Sequence, residues 1–200
     1  MSRASQRQFK IALYMDRAQR KAFDAIEKEA SSIHTAVLRE AAPAFEESSL
    51  IPPRESVIKA VMEWRRETMA NGMMTDFSAE SVARESHDRW ILKNDGKIDR
   101  GRRYTPRVEV PVDDVVFSVS ERLVRIPYLG LVKHASNQKI ISDPGVASIG
   151  NKATLGSMIR RVFIGSQNST FFILMDCTEP GEDRMRALRK RPKKLPDILE

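Results

Sequence analysis

The stretch "QFKIALYM", residues 8–15, reads as a short strand, and the segment after it does not. "DRAQRKAFDAIEKEASSIHTAVLRE", residues 16–40, sets Ala22, Ile26, Ala30, Ile33 and Val37 at steps of three and four, with Phe23 beside them. That spacing predicts a helix with one buried stripe, and Asp16 is its N-cap. A strand of this length has no stability alone. Its partners must lie further along the chain, and the helices between become an insertion.

Two more helices are expected. "IPPRESVIKAVMEWRRETMANG" starts one after a pair of prolines, with Val57, Val61 and Trp64 on one face and Asn71-Gly72 ending it. Ser78 caps the next, "AESVARESHDRWILK", whose stripe of Ala79, Val82, Ala83, Ser86 and Trp90 is thin and predicts partial burial. From about residue 95 the periodicity changes. "NDGKIDRGRRYTPR" is a basic linker, and "DVVFSV", "RLVRI", "GLVKHA", "MIRRVFIG" and "TFFILMD" are strand candidates, the last two joined through "SQNS" in a hairpin. Residues 142–157 read as a Gly- and Ser-rich loop. The tail carries seven basic residues between Arg184 and Lys194.

The expectation is an α+β chain, a small antiparallel, OB-like β-barrel with an inserted bundle of about three helices. Residues 1–15 supply the first barrel strand, 16–95 the helical insert, 96–180 the rest of the barrel and 181–200 a basic connector. "RLVRIPYLGLVK", residues 122–133, forms a corner of it. Leu123 and Arg125 fall on one face, Val124 and Ile126 on the other. Pro127 cannot donate to a ladder and ends the strand, and Gly130 permits a sharp turn, with Arg122, Arg125 and Lys133 displayed beside it.

Composition narrows the function. Of 200 residues 41% are hydrophobic and 30% charged, and Lys plus Arg exceed Asp plus Glu by 34 to 27, a net charge of +7. That balance points to a polyanionic partner. Cys177 is the only cysteine, so there is no internal disulfide and no multi-cysteine zinc site, and its apolar context predicts a buried thiol. No apolar run has membrane-span length and the N-terminus lacks a secretory core, so a cytoplasmic protein without a membrane partner is expected. The three histidines, His34, His87 and His134, have no metal-ligand spacing. Asp113-Asp114 reads as a solvated turn, and "SIGNKATLGS" lacks the order of a phosphate loop. No catalytic residue, metal ligand or cofactor is assigned to this chain.

Phosphate binding instead needs cations and N–H donors spread over a surface. Lys10, Arg125, Lys133, His134, Lys139, Arg160 and Arg161 lie on or beside the strands and are the candidate RNA contacts. Strict alternation puts Arg160 and Arg161 on opposite faces. The same charges could simply solvate an outer face.

The succession of these landmarks resembles the N-terminal half of the TnpB (OrfB) family, transposon-encoded RNA-guided nucleases related to compact type V CRISPR effectors. "FKIALYMDRAQ" supplies the Lys10, Leu13, Tyr14 and Gln19 of the family's opening strand and first helix. "IPYLGLVK" is similar to "I-P-K-L-G-x-V-K", with Tyr128 where lysine is usual. "RRYTPR" is a looser counterpart of a basic "Y-P-R-F-K" segment, and "IRRVFIGSQNSTFFILMD" matches the family's later strand, turn and aromatic strand. The resemblance implies that the barrel is a wedge domain gripping a guide RNA. It also implies that the helical insert is a recognition lobe reading duplex DNA beside a short flanking motif. By position it carries Arg84, His87 and Asp88, in "SVARESHDRW", and Arg102, Arg103 and Tyr104 to DNA contacts. Arg84 and Asp88 are also four apart and could pair with each other.

The family continues into a RuvC-like nuclease with three carboxylates and a zinc-binding insert. Asp197 and Glu200 fall too early for that role. The implied carboxylates and their Mg2+ belong to a continuation or to a second chain. Two other readings stay open: a nuclease-less RNA-guided repressor or RNA-binding accessory, and a basic protein-binding scaffold.

Overall fold

The structure, a computed structural model, describes residues 6–95, 105–118, 122–135, 140–143, 146–149 and 158–178. In chain order its elements are β1 (Gln6–Tyr14), α1 (Arg17–Ser48), α2 (Arg54–Thr68), α3 (Asp76–Asn94) and β2 (Val108–Val110). A 3-10 turn (Val112–Asp114) leads to β3 (Val116–Ser118), β4 (Leu123–Ile126), β5 (Gly130–His134), β6 (Ile140–Asp143), β7 (Val146–Ile149), β8 (Met158–Gln167) and β9 (Thr170–Thr178). The fold is α+β, three helices with a seven-stranded antiparallel sheet in the order β2-β8-β9-β1-β5-β4-β3. β1 is the middle strand. Its residues run from Gln6 opposite Thr178 to Leu13 opposite Phe171, and it meets β5 at Leu13–His134. The helices are thus inserted between the central strand and the rest of the sheet.

The sheet's two edges, β2 and β3, are joined only by residues 111–115. Six strand spacings of about 4.8 Å would hold flat edges ~29 Å apart. The six residue steps from Val110 to Val116 span about 21 Å at full extension. The sheet therefore has to curl. Among the described residues β2 and β3 do not pair, so it stays open. Its concave side gathers Ile11, Leu13, Val124, Ile126, Val132, Val162 and Ile164 into one core shared with the helices.

Two strand expectations need correction. Val108–Val110 forms an edge strand on β8 where a linker was expected to end, and it is buried throughout. Residues 142–157 are not wholly loop, because β6 and β7 pair as a separate hairpin from Ile140–Ile149 to Asp143–Val146. The predicted β8–β9 hairpin is present, with Asn168 and Ser169 both left-handed at φ 50° and 62°, the geometry of a tight hairpin turn.

Local chemistry explains the helices. Asp16 caps α1 as expected, accepting from the Gln19 N–H at 2.8 Å while the Gln19 side chain accepts from the Asp16 N–H, a capping box. The helix passes its expected end at Glu40 and runs through Pro43 to Ser48. Proline removes one ladder bond there; burial of Ala41 and the edge-on packing of Phe45 against Trp90, at 5.6 Å, offset it. α3 is capped by Thr75, whose side chain accepts from the Ser78 N–H. The expectation of a Ser78 cap is overturned, while the expected stripe of Ala79, Val82, Ala83, Ser86 and Trp90 is the buried face of a partly buried helix. Ser78, Ala79, Val82, Ala83, Ser86 and His87 are buried, because a face of small side chains lets α3 lie close to its neighbours.

One buried ion pair joins the three helices. Glu29 of α1 and Arg65 of α2, 5% and 6% exposed, meet at 2.9 Å. The other Glu29 oxygen accepts from the N–H groups of Met73 and Met74 at 2.7 and 3.2 Å. Arg65 also bonds the Met74 carbonyl and, at 2.7 Å, Asp76 at the start of α3. A Cβ at Gly72 would stand 2.5 Å from the Glu29 carboxylate, so only glycine lets the loop close over it. Breaking a pair like this leaves the partner's charge buried and alone. Glu29→Ala should therefore lower unfolding free energy by about 3–5 kcal/mol in denaturant titrations. An unchanged midpoint would remove the pair from its central place.

Candidate nucleic-acid interface

Strand register builds a continuous surface on the convex side of β1, β5, β4 and β3. Residues paired across antiparallel strands share a face. Tyr14 pairs with Lys133, Lys133 with Leu123, Leu131 with Arg125, and Arg125 with Val116. Three of these are large apolar side chains left in solvent: Tyr14 is 63% exposed, Leu131 60% and Val116 51%. Arg125 and Lys133 are exposed between them, and neither forms an ion pair among the described residues. The predicted split of Leu123 and Arg125 from buried Val124 and Ile126 is what β4 shows.

The β4–β5 turn holds this surface and ties it to the helices. Leu129 donates to the Ile126 carbonyl at 3.2 Å across Pro127 and Tyr128, and Gly130 comes next at φ 71°. Tyr128 has φ 70° in a position that favours glycine. Its hydroxyl lies 3.0 Å from the Thr75 N–H, the Thr75 hydroxyl and the Ser78 hydroxyl, at the start of α3. From the other side, the Gln19 amide donates to the Leu131 carbonyl at 2.7 Å. Two helix N-termini thus clasp one turn.

The remaining candidate cations are more constrained. Lys10 shares the outward side of β1 with Tyr14, but its ammonium donates to Gln167 at 2.6 Å and sits 4.1 Å from the centre of the Phe172 ring. Arg161 makes a two-pronged bond to Glu109, at 2.9 and 2.7 Å, and Ser81 of α3 donates to the same carboxylate. Burial alone would raise the Glu109 pKa, yet the bonds from Arg161 and Ser81 bring it below its ordinary value. Arg160 is exposed as well, and a bulge between Ile159 and Arg161 interrupts the strict alternation on which their split between faces rested. His134 is 5% exposed and packs edge-on against Phe117, so it faces the core rather than a backbone phosphate. Lys139, Arg102, Arg103 and Tyr104 lie outside the described residues.

On α3 the three predicted DNA contacts differ. Arg84 forks onto Glu55 of α2 at 2.7 and 3.1 Å and onto Glu80 at 2.6 Å; the Glu55 and Glu80 bonds raise its pKa. Asp88 pairs with Arg54 at 3.4 Å, so the Arg84–Asp88 pair is not formed. His87 is 1% exposed against Trp90 and offers no surface to a duplex in this arrangement. Sequence reasoning passed over Leu131 and Val116 as contacts, and took Tyr14 only as a landmark. Alternation places Tyr14 on the Lys10 side of β1, but nothing local says that this side stays uncovered.

Among the described residues no group of three or more His, Cys, Asp or Glu side chains could hold a metal, and no helix is long and apolar enough to cross a membrane. No family model matches the sequence, and no curated protein matches it.

The histidines carry a pH dependence. Burial holds all three below the ordinary 6.5, helped by Arg89 and Lys93 at His34 and by Arg122 at His134. At His87 burial again leads. The Pro52 carbonyl and Asp88 offset part of it, Arg54 adds to it, and neither ring nitrogen has a well-formed hydrogen bond. A depressed folded pKa means the unfolded chain takes up protons first. The histidine contribution is complete above about pH 6.5 and is lost as pH falls from there through the folded values. The melting temperature should drop between pH 7.5 and 5.5; a flat profile over that window would contradict the burial of these rings.

Proposed function

We propose that the convex face of β1, β5, β4 and β3 binds RNA, as the wedge of a TnpB-like RNA-guided protein would. The observation that carries this reading is the interleaving of Arg125 and Lys133, unpaired among the described residues, with exposed Tyr14, Leu131 and Val116. Cations neutralise backbone phosphates, while the aromatic and aliphatic side chains suit unstacked bases. The open, curled sheet serves as the wedge barrel and the helical insert as the lobe that meets flanking duplex DNA. On that lobe Arg84 and Asp88 reach DNA only by exchanging their present partners, and His87 does not reach it.

The exposed aliphatic pair also favours a second reading, a surface that docks protein. Salt decides between them. Each phosphate contact contributes about 0.7–0.9 to the slope of log affinity against log salt. Arg125→Ala with Lys133→Ala should weaken binding of the RNA recovered with the purified chain and flatten that slope by roughly 1.4–1.8. Unchanged affinity in the double variant would rule this face out. Arg161→Ala, which frees Glu109, should lower the melting temperature and leave the slope unchanged.

The resemblance assigns cleavage to RuvC-like carboxylates and Mg2+ supplied by a continuation or a second polypeptide. The 200-residue chain should therefore bind RNA without cutting DNA in magnesium. Guide-dependent cleavage by the highly purified chain would overturn that division of labour.

A further inference from the structure

Tyr14 closes β1 on the convex side of the sheet with 63% of its surface in solvent. Several of the sheet's other rings carry cations: Lys10 lies over Phe172, Arg20 over Phe171, and Arg107 and Arg161 over Phe163. Among the described residues no cation lies over the Tyr14 ring. Its neighbours toward the start of the strand are small. Ala12 is two residues back on the same face of β1. Ala135, whose N–H donates to the Ala12 carbonyl at 2.9 Å, is the residue two beyond Lys133, the partner of Tyr14. Ala12 is half-buried and Ala135 exposed, so methyl groups form the floor beside one flank of the ring.

Charge on this face is sparse and of one sign. Lys133 stands opposite Tyr14, and Arg125 is its diagonal neighbour, about 7–8 Å away. No carboxylate shares the paired registers of β1 with β5, β5 with β4 or β4 with β3. The other exposed places, Leu131 and Val116, are aliphatic. A duplex suits such a face poorly. It presents phosphates and riboses outward and keeps its base faces stacked inside, so Tyr14, Leu131 and Val116 would lie against a charged backbone. An unpaired strand turns its base faces out onto aromatic and aliphatic side chains and leaves its phosphates to the cations between them. Resting on the RNA-binding reading of this face, we propose that its ligand is single-stranded RNA, with one unpaired base stacked on Tyr14 above Ala12 and Ala135.

Fluorescence anisotropy of end-labelled RNA on the full chain tests this. The probe is an oligouridylate of about twelve nucleotides, which has no pairing partner, and its comparison is a blunt RNA duplex of equal length. The single strand should bind at least about tenfold more tightly than the duplex at the same salt. Tyr14→Ala should weaken it about tenfold, and Tyr14→Phe should bind like the wild type, because the ring does the stacking. Both variants should keep the wild-type salt slope, since no phosphate contact is lost. Ala12→Leu, which raises a side chain where the base would lie, should also weaken the single strand; if it fails to fold, Tyr14→Ala decides. A duplex bound as tightly as the single strand, or Tyr14→Ala binding like the wild type, overturns the proposal. If Arg125→Ala with Lys133→Ala still weakens that binding, the face remains an RNA surface and only its ligand class is wrong. Binding of neither RNA overturns the RNA reading and this proposal with it.

Discussion

The Glu29–Arg65 pair is the constraint on which the helical half depends. Two opposite charges withdrawn from water are costly unless every lone pair and N–H is used. Here the carboxylate takes the guanidinium and two backbone N–H groups, while the guanidinium also takes a backbone carbonyl and Asp76. Those partners sit on all three helices or on the loop between α2 and α3. The pair therefore selects one arrangement of the bundle rather than adding to general cohesion. By fixing residues 73–76 it also fixes the start of α3, where Thr75 and Ser78 receive the Tyr128 hydroxyl. A buried charge on α1 is linked by this route to the turn that carries the exposed sheet face.

The sheet depends on a different constraint, the shortness of the segment joining its edges. Curling results from chain reach, and it sorts the strands into a concave core and a convex surface. On the convex side near β2, β8 and β9 the strands carry buried apolar side chains, as they do on the concave side. Phe163, Phe172 and Leu174 form a small cluster of their own there. Where none of the described residues covers it, on β1, β5, β4 and β3, cations and apolar side chains stand together in water.

Charge is also unevenly committed. Several of the basic side chains are paired in place: Arg54 with Asp88, Arg84 with Glu55 and Glu80, Arg107 with Glu85, Arg161 with Glu109. Partly exposed pairs of this kind contribute little to stability, but they occupy donors that a phosphate would otherwise use. The number of Lys and Arg side chains alone overstates the available surface. Arg125 and Lys133 matter because no acid among the described residues claims them.

The sequence by itself determined the elements whose signals are local. Periods of two and three to four, the Asp16–Gln19 box, Pro127 with Gly130, and the Asn168-Ser169 turn each depend on residues within a few positions. The long-range role of the first strand and the inserted order of the helices were legible too, because a lone strand cannot stand. What only the tertiary structure decided depends on partners far away in sequence. Burial turned His87 and His134 inward, a bulge set Arg160 and Arg161 on exposed positions, and distant carboxylates claimed Arg84 and Arg161. Pairing across more than a hundred residues brought Tyr14 beside Lys133. Alternation says which side chains share a face, but only the packing of the other layers determines which face water keeps.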